Sequence, residues 1–188
     1  MGYWYGNTHD RADSWHWTGV ATNLCQTLGF HHNPGRSNIP DSQRRLWKRI
    51  WWCCAHRDSW ISLGMGRPTR INKDDCDVDQ LTVQDLAEPN PPLSLSNRAR
   101  SIIERCNSLA PLFVELTKLS SHLNDILIYQ YGVGIPRKSV DRIQLLDAQL
   151  QKWYSDLDSW SKIDLSLPNN QEDSVTSLHK HMLHLYFQ

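Results

Sequence analysis

The sequence lacks several features by which whole classes of protein are recognised. No apolar run is long enough to span a bilayer, and no Asn-x-Ser/Thr acceptor for N-glycosylation occurs. Neither charge is in excess, because 20 Lys and Arg residues balance 20 Asp and Glu residues. A neutral chain shows no whole-chain sign of a nucleic-acid binder. We therefore expect no membrane partner and no extended basic surface.

The short motifs of common catalytic sites are also missing. The sequence contains no Gly-x-Ser-x-Gly, Walker or Rossmann glycine pattern, and we find no nucleophile beside an evident base. The five cysteines are an odd number and none shows Cys-x-x-Cys spacing. Adjacent Cys53 and Cys54 within a predicted helix do not suggest a disulfide framework. These absences favour a non-catalytic protein in a reducing intracellular compartment.

Apolar residues recur at helical spacing through most of the chain, and no convincing strand alternation appears. We predict helices over about 14–28, 42–64, 96–131 and 139–160, and a last helix around 178–186. Pro111 is expected to kink or split the third of these, Thr82 to cap a short helical turn, and Ser139 to start the fourth. The predicted fold class is all-α, and 188 residues suffice for one domain with a real core.

The helix over about 42–64 is predicted to be the buried centre of the fold. Its apolar and aromatic residues cover most of the circumference, which is typical of a helix buried on several sides. One stripe consists of Leu46, Ile50, Cys53, Arg57 and Ile61, and a second of Trp47, Trp51, Cys54 and Asp58, with Trp52 and Trp60 beside them.

The ends and charges of this central helix give specific expectations. Asp41 or Ser42 is expected to cap its start, and Gly64 and Gly66 to supply left-handed stopping conformations before Pro68. Asp58 lies within the apolar part, where an unpaired charge is costly. We therefore expect Asp58 to pair with Arg67 or Arg49.

Two charged clusters suggest alternative functions. Asp75, Asp77 and Asp79 alternate as at the start of a calcium loop, but the required Gly and Glu positions, counted from Asp75, hold Gln80 and Leu86. The acidic loop from Asp74 to Asp79 leaves open an all-α magnesium-dependent enzyme acting on diphosphates. The basic cluster, which comprises Arg44, Arg45, Lys48 and Arg49, either contacts phosphates or is a solvated or salt-bridged first helical turn. We favour the salt-bridged or solvated interpretation.

From Trp15 to Val78 the chain resembles the fungal-specific transcription factor domain, the middle regulatory region of zinc-cluster transcription factors. The matching residues are Trp15-His-Trp-Thr-Gly-Val-Ala, Leu28-Gly-Phe-His with Asn33-Pro34, Arg45-Leu-Trp-Lys-Arg-Ile-Trp-Trp, Arg57-Asp58, Leu63-Gly-Met-Gly-Arg-Pro, Ile71 and Asp75-Cys-Asp-Val. The residues of these motifs are most similar to those of the cutinase transcription factor branch, although Asp79 stands where the family commonly has Pro. The structural motif residues that the resemblance indicates are Arg45, Trp47, Arg49, Trp51, Trp52, Arg57, Asp58, Gly66, Arg67, Pro68, Asp75 and Asp77.

The resemblance implies a nuclear transcription regulator of which this chain is the part that does not contact DNA. Residues 1–188 are expected to form one partial domain truncated at both ends, with the most specific part at 14–88 and a helical remainder at 94–188. DNA contact and zinc belong to the family's N-terminal six-cysteine cluster, which is absent here, so we expect no cofactor in this chain. Expected partners are a small-molecule inducer, a coregulator protein or a second copy; the remaining alternative is a ligand-free helical scaffold.

Overall fold

In the part of the chain that the structure describes, helices and turns form the whole fold and no strand occurs. The structure is a computed structural model that describes residues 11–36, 38–87, 94–133, 139–158, 161 and 174–187. Its helices are α1 (Arg11–Thr27), α2 (Asp41–Met65), α3 (Val83–Leu86), α4 (Asn97–Tyr131), α5 (Val140–Asp156) and α6 (Ser174–Phe187). The predicted all-α class is confirmed. None of these helices combines the length and apolar character needed to cross a membrane.

The start of α2 differs from the prediction, whereas its end is at one of the predicted glycines. Pro40 occupies the N-cap position without a side-chain cap, so the expected capping by Asp41 or Ser42 is wrong. Asp41 lies in the first turn and pairs with Arg44 instead. At the other end Gly66 adopts the left-handed conformation, with φ of 62°. A residue with a Cβ would be strained there, which explains why the helix stops at this glycine.

α2 lies between α1 and α4 and contacts both. The residues that it buries are Trp51, His56, Asp58, Ser59, Ile61 and Ser62. Small hydroxyl side chains such as Ser59 and Ser62 allow close approach of a neighbouring helix. The stripe predicted from Leu46 to Ile61 is not the main buried face, because Leu46 is 45% exposed and Cys53 is also exposed. The apolar pattern predicted more burial of α2 than the structure shows, because the indole rings of Trp47, Trp52 and Trp60 are only partly covered.

α4 is the other long element and contacts α2, α3, α5 and α6. It runs for 35 residues through Pro111, so of the two predicted effects the split is wrong and the kink stays a prediction. Proline removes one backbone hydrogen bond and crowds the preceding turn. Burial of Ala110 and Leu112 on either side offsets that cost. The capping Thr82 and the start of α5 after Ser139 are as predicted.

Two apolar cores flank the contact between α2 and α4. One core joins α4, α5 and α6 through Leu112, Leu119, Trp153, Leu157 and Leu183. The other joins α1, α2 and the following segment through Cys25, Trp51 and Ile71. On α6 the predicted apolar positions Leu178 and Leu185 are exposed, and Leu183 is buried in their place. Residues 1–10, where the domain was expected to be truncated at its start, lie outside the described residues.

Candidate functional site

Asp58 fastens α2 to the chain that follows it. Its side chain is 0% exposed. Oδ2 accepts hydrogen bonds from the backbone N–H groups of Arg70 at 2.8 Å and Ile71 at 3.0 Å, and Arg70 Nη1 lies 3.8 Å from Oδ1. Burial raises the pKa of Asp58, while both N–H groups and the Arg70 charge oppose that rise. The partner is Arg70, so the expectation of Arg67 or Arg49 is wrong: the turn after Gly66 brings Arg70 to the carboxylate.

The Arg70 side chain also connects this anchor to α1. Its guanidinium carbon lies 3.5 Å from the ring centroid of Trp15, and that of Arg67 lies 5.2 Å from the same centroid. A cation over an indole face is favourable, more so when it is partly desolvated. Gly19 leaves room for this approach, because a Cβ there would come within 2.9 Å of the Arg70 Nε and the arginine would have to shift. One buried carboxylate and one stacked arginine therefore connect α1, α2 and the segment after α2.

The acidic segment after α2 uses its carboxylates to hold the loop that follows α1. Asp77 Oδ1 accepts a hydrogen bond from the Asn33 backbone N–H at 2.9 Å and lies 3.2 Å from His32 Nδ1. These contacts lower the pKa of Asp77. Asn33 Nδ2 donates to Asp79 Oδ2 at 2.9 Å. Within the described ranges no three His, Cys, Asp or Glu side chains are arranged to hold a metal ion.

A cavity of about 350 Å³ opens between α2, α4 and the segment over 71–80. Its apolar walls include Trp51, Trp52 and Ile71, and polar groups come from Ser120 and Asn124. Trp52 is oriented by its indole N–H, which donates to the Asp79 carbonyl at 2.9 Å. Aromatic and aliphatic walls with a few placed polar groups are typical of small-molecule sites.

Asn124 is the polar group in this cavity whose bonding is incomplete. The residue is 5% exposed, and its Oδ1 accepts no hydrogen bond from any residue that the structure describes. A buried acceptor left in this state costs about 1–3 kcal/mol. A ligand that donates a hydrogen bond to Oδ1 would remove that penalty. Asn124 is thus the residue most suited to select a ligand.

Lys73 lies at the same cavity, and its charge is already compensated. Its Nζ is 2.8 Å from Asp125 Oδ1 and donates to the Ser121 carbonyl at 2.9 Å. These two contacts tie the segment after α2 to α4. Since this ammonium group has an anionic partner, the cavity favours an uncharged ligand over an anion.

Behind the cavity, Ser120 connects α4 to α2 through a buried polar cluster. Its Oγ lies 2.8 Å from His56 Nδ1, accepts from Trp60 Nε1 at 3.0 Å, and donates to the Leu116 carbonyl at 2.7 Å. Because the single hydroxyl proton goes to Leu116, His56 is assigned as the tautomer with the proton on Nδ1. Burial, assisted by the Arg57 charge, lowers the pKa of His56 to about 4.

This depressed pKa predicts a loss of stability in mild acid. The unfolded chain binds a proton on His56 near its ordinary pKa of 6.5, before the folded chain does at about 4. Stability is therefore present above 6.5 and is lost as the pH falls toward 4. Between pH 7.5 and 5 this group should remove about 2 kcal/mol of unfolding free energy. Urea denaturation at several pH values measures it, and His56→Gln, which keeps a donor for Ser120, should weaken the pH dependence. An unchanged pH dependence in His56→Gln would contradict the assignment.

The remaining motif residues have structural contacts around this site. Trp47 stacks on Phe30 with ring centroids 4.9 Å apart, and Ser62 Oγ donates to the Pro68 carbonyl at 3.4 Å. Asp75 accepts from Asn72 Nδ2 at 3.1 Å. Arg49 and Arg57 are half-buried on α2, and Arg57 lines a groove between α1 and α2. The structure therefore brings Trp51, Trp52 and Asp58 close to the cavity and leaves the others to support the surrounding elements.

The basic cluster is occupied by protein partners. Lys48 Nζ lies 2.7 Å from Asp85 Oδ2, and both side chains are largely buried. Arg44 pairs with Asp41, and Arg45 Nη1 donates to the Gln84 carbonyl at 3.4 Å. These contacts agree with the interpretation of this cluster as a salt-bridged first turn of α2.

Sequence reasoning missed three polar residues that line the cavity, Lys73, Ser120 and Asn124, and two that form contacts beside it, His56 and Arg70. A signal for two of them existed. Thr117, Ser120 and Asn124 follow one another at spacings of three and four, so they share one face of α4. All three are buried. A polar stripe among leucines on a long helix indicates a polar contact or a site.

Comparisons with a family model and with curated proteins indicate the same family for this chain. Residues 1–162 match the model described as "Fungal specific transcription factor domain". Cutinase transcription factor 1 beta of Fusarium vanettenii is 31% identical over all of this chain and 24% of its own length. Cutinase transcription factor 1 alpha of the same organism is 31% identical over 80% of this chain and 16% of its own length. The acetamidase regulatory protein of Aspergillus oryzae is 29% identical over 84% of this chain and 20% of its own length. No solved structure matches significantly.

Proposed function

The chain belongs to the fungal-specific transcription factor domain family, and we infer that it is a regulatory domain acting in fungal transcription. It spans about a quarter or less of the length of the curated relatives above. We assign residues 1–188 to one partial domain of a larger, nuclear, non-enzymatic protein. In that protein, zinc and DNA contact belong to a separate cysteine cluster.

The state of the basic cluster supports a role away from DNA. Phosphate binding needs Lys and Arg side chains that are available to displace counterions. Lys48 is committed to Asp85 within a largely buried pair, and Arg44 to Asp41. The same helix continues into buried Trp51, so it is a core element rather than a free recognition helix.

The observation that carries a specific mode of regulation is the buried Asn124 acceptor in the cavity between α2 and α4. It supports binding of a small, uncharged, largely flat molecule with one hydroxyl or amide donor. The indoles of Trp51 and Trp52 would cover its apolar faces, and its donor would meet Oδ1 of Asn124. A coregulator protein or a second copy of the chain would then respond to the ligand-bound state.

The walls of the cavity explain how such a ligand would act on the domain. They come from α2, α4 and the segment over 71–80. That segment is held at one end by Asp58 and further along by Lys73. A ligand that contacts all three elements stabilises their present arrangement by mass action, and the gain grows with the ratio of ligand concentration to Kd.

We predict that the chain alone does not bind DNA with sequence preference. A fluorescence-anisotropy titration against random and fungal promoter DNA, at near-physiological salt and with or without zinc, measures this. Any binding should be weak, salt-sensitive and equal for both DNAs. Arg44→Ala with Arg45→Ala should reduce that weak association only. Sub-micromolar binding that prefers certain sequences, as in specific complexes, would contradict the proposed role.

A further inference from the structure

Two cysteines from different helices meet in the core between α1 and α2. Cys25 on α1 and Cys54 on α2 have their sulfur atoms 3.5 Å apart. Cys25 is 5% exposed, and both residues belong to the cluster around Trp51 and Ile71. Cys53, the neighbour of Cys54, is exposed. The sequence placed Cys54 in a helix but gave no indication that Cys25, 29 residues earlier, contacts it.

We propose that Cys25 and Cys54 are an oxidisable thiol pair that forms a reversible disulfide, joining α1 to α2, when the protein meets a peroxide. A disulfide bond is about 2.05 Å long, so the sulfur atoms must approach by about 1.5 Å. Formation of this disulfide does not require a ligand in the cavity between α2 and α4.

The surroundings of the pair provide access and a nucleophile. Cys54 lines a groove of about 580 Å³ between α1 and α2, together with Cys53 and Arg57. A peroxide molecule in that groove contacts Cys54. Cys25 lies behind Cys54, with the two sulfur atoms 3.5 Å apart. The hydrogen bond between the two sulfur atoms lowers the pKa of Cys25 and raises that of Cys54, so Cys25 is the thiol of the pair that loses its proton more readily. A thiolate is the reactive form of cysteine.

The reaction balances with hydrogen peroxide as the oxidant. The pair loses one proton, and transfer of the shared proton from Cys54 to Cys25 places the thiolate on Cys54, the sulfur that lines the groove. This thiolate attacks one peroxide oxygen, the O–O bond breaks, and the departing hydroxide takes up a proton to become water. The Cys25 sulfur then attacks the sulfur of the Cys54 sulfenic acid, the S–O bond breaks, and the second hydroxide leaves with the Cys25 proton as water. Two sulfur atoms lose one electron each, and the peroxide is reduced to two molecules of water.

The test is to treat the folded chain with hydrogen peroxide, remove the peroxide, alkylate the remaining thiols in denaturant so that buried thiols also react, and map peptides by mass spectrometry. We expect two of the five thiols to escape alkylation, a cross-linked peptide pair containing Cys25 and Cys54, and full reversal by dithiothreitol. The oxidised chain should melt about 5 °C or more above the reduced chain, because the cross-link restricts the unfolded state.

Matched variants decide whether this pair is responsible. Cys53→Ser should leave the cross-link intact, whereas Cys54→Ser and Cys25→Ser should each abolish it while retaining helical circular dichroism. Oxidation of the wild-type chain in urea should give mixed pairings instead. If native wild-type chain keeps all five thiols alkylatable, or cross-links through Cys53 to a second copy with Cys25 still free, the proposal is wrong.

Discussion

Asp58→Ala is expected to lower the free energy of unfolding by about 3 kcal/mol or more, the range found when one partner of a buried ion pair is removed. The substitution leaves the backbone N–H groups of Arg70 and Ile71 without their acceptor. It also leaves the Arg70 guanidinium, stacked on Trp15, without its anion. Urea denaturation at pH 7 followed by circular dichroism measures the change.

Two variants separate the lost ion pair from a general effect of mutation. Asp58→Asn keeps an oxygen acceptor without the charge and should lose less stability than Asp58→Ala. Asp74 is exposed and lies in the acidic segment after α2, which Asp58 anchors. Asp74→Ala should therefore leave the unfolding free energy unchanged within error. A melting curve of Asp58→Ala that matches the wild type would show that Asp58 does not anchor this segment.

Trp51→Ala is expected to cost about 3–5 kcal/mol, as large-to-small substitutions of buried aromatic residues do. Trp51 is 3% exposed and packs with Cys25 and Ile71 in the core between α1 and α2. The substitution removes its contacts and enlarges the adjacent cavity. Denaturation with guanidinium chloride measures the loss.

The neighbouring tryptophan is a matched control. Trp52 lines the same cavity but is only half-buried, so Trp52→Ala should cost clearly less than Trp51→Ala. Most of its cost should come from the hydrogen bond to the Asp79 carbonyl. Equal losses for the two substitutions would mean that the buried face of α2 has been assigned wrongly.

Local signals in the sequence located the elements well. Gly66 ends α2 because only glycine adopts its φ of 62° without strain, and such a glycine is recognisable after an apolar run. Ser139 precedes α5 and Thr82 precedes α3, as their side chains predict. The family resemblance, which rested on motifs from Trp15 to Val78, is confirmed by the comparisons.

Contacts between distant parts of the chain were less accessible to sequence reasoning. Asp58 was expected to be buried and paired, and it is. Which arginine pairs with it depends on the path of the chain after Gly66, and that path brings Arg70 to the carboxylate. Pro111 was expected to kink or split α4, and the helix continues through it, with buried Ala110 and Leu112 on either side. The cavity needs Asn124, Lys73 and Trp52, which lie on three separate elements. Spacing within one helix cannot reveal that they share a wall.

We propose that the cavity between α2 and α4 receives a ligand through Asn124. The most direct measurement is a thermal-shift screen of uncharged aromatic compounds bearing one hydroxyl or amide donor, followed by calorimetric Kd values for the hits. The wild-type chain and Gln130→Leu, an exposed change on the same helix, should show equal stabilisation by the hits. Asn124→Leu should bind the same compounds about tenfold more weakly, the value of one hydrogen bond. A screen without any binder, or hits that bind Asn124→Leu as tightly as the wild type, would contradict the claim and favour a ligand-free helical scaffold.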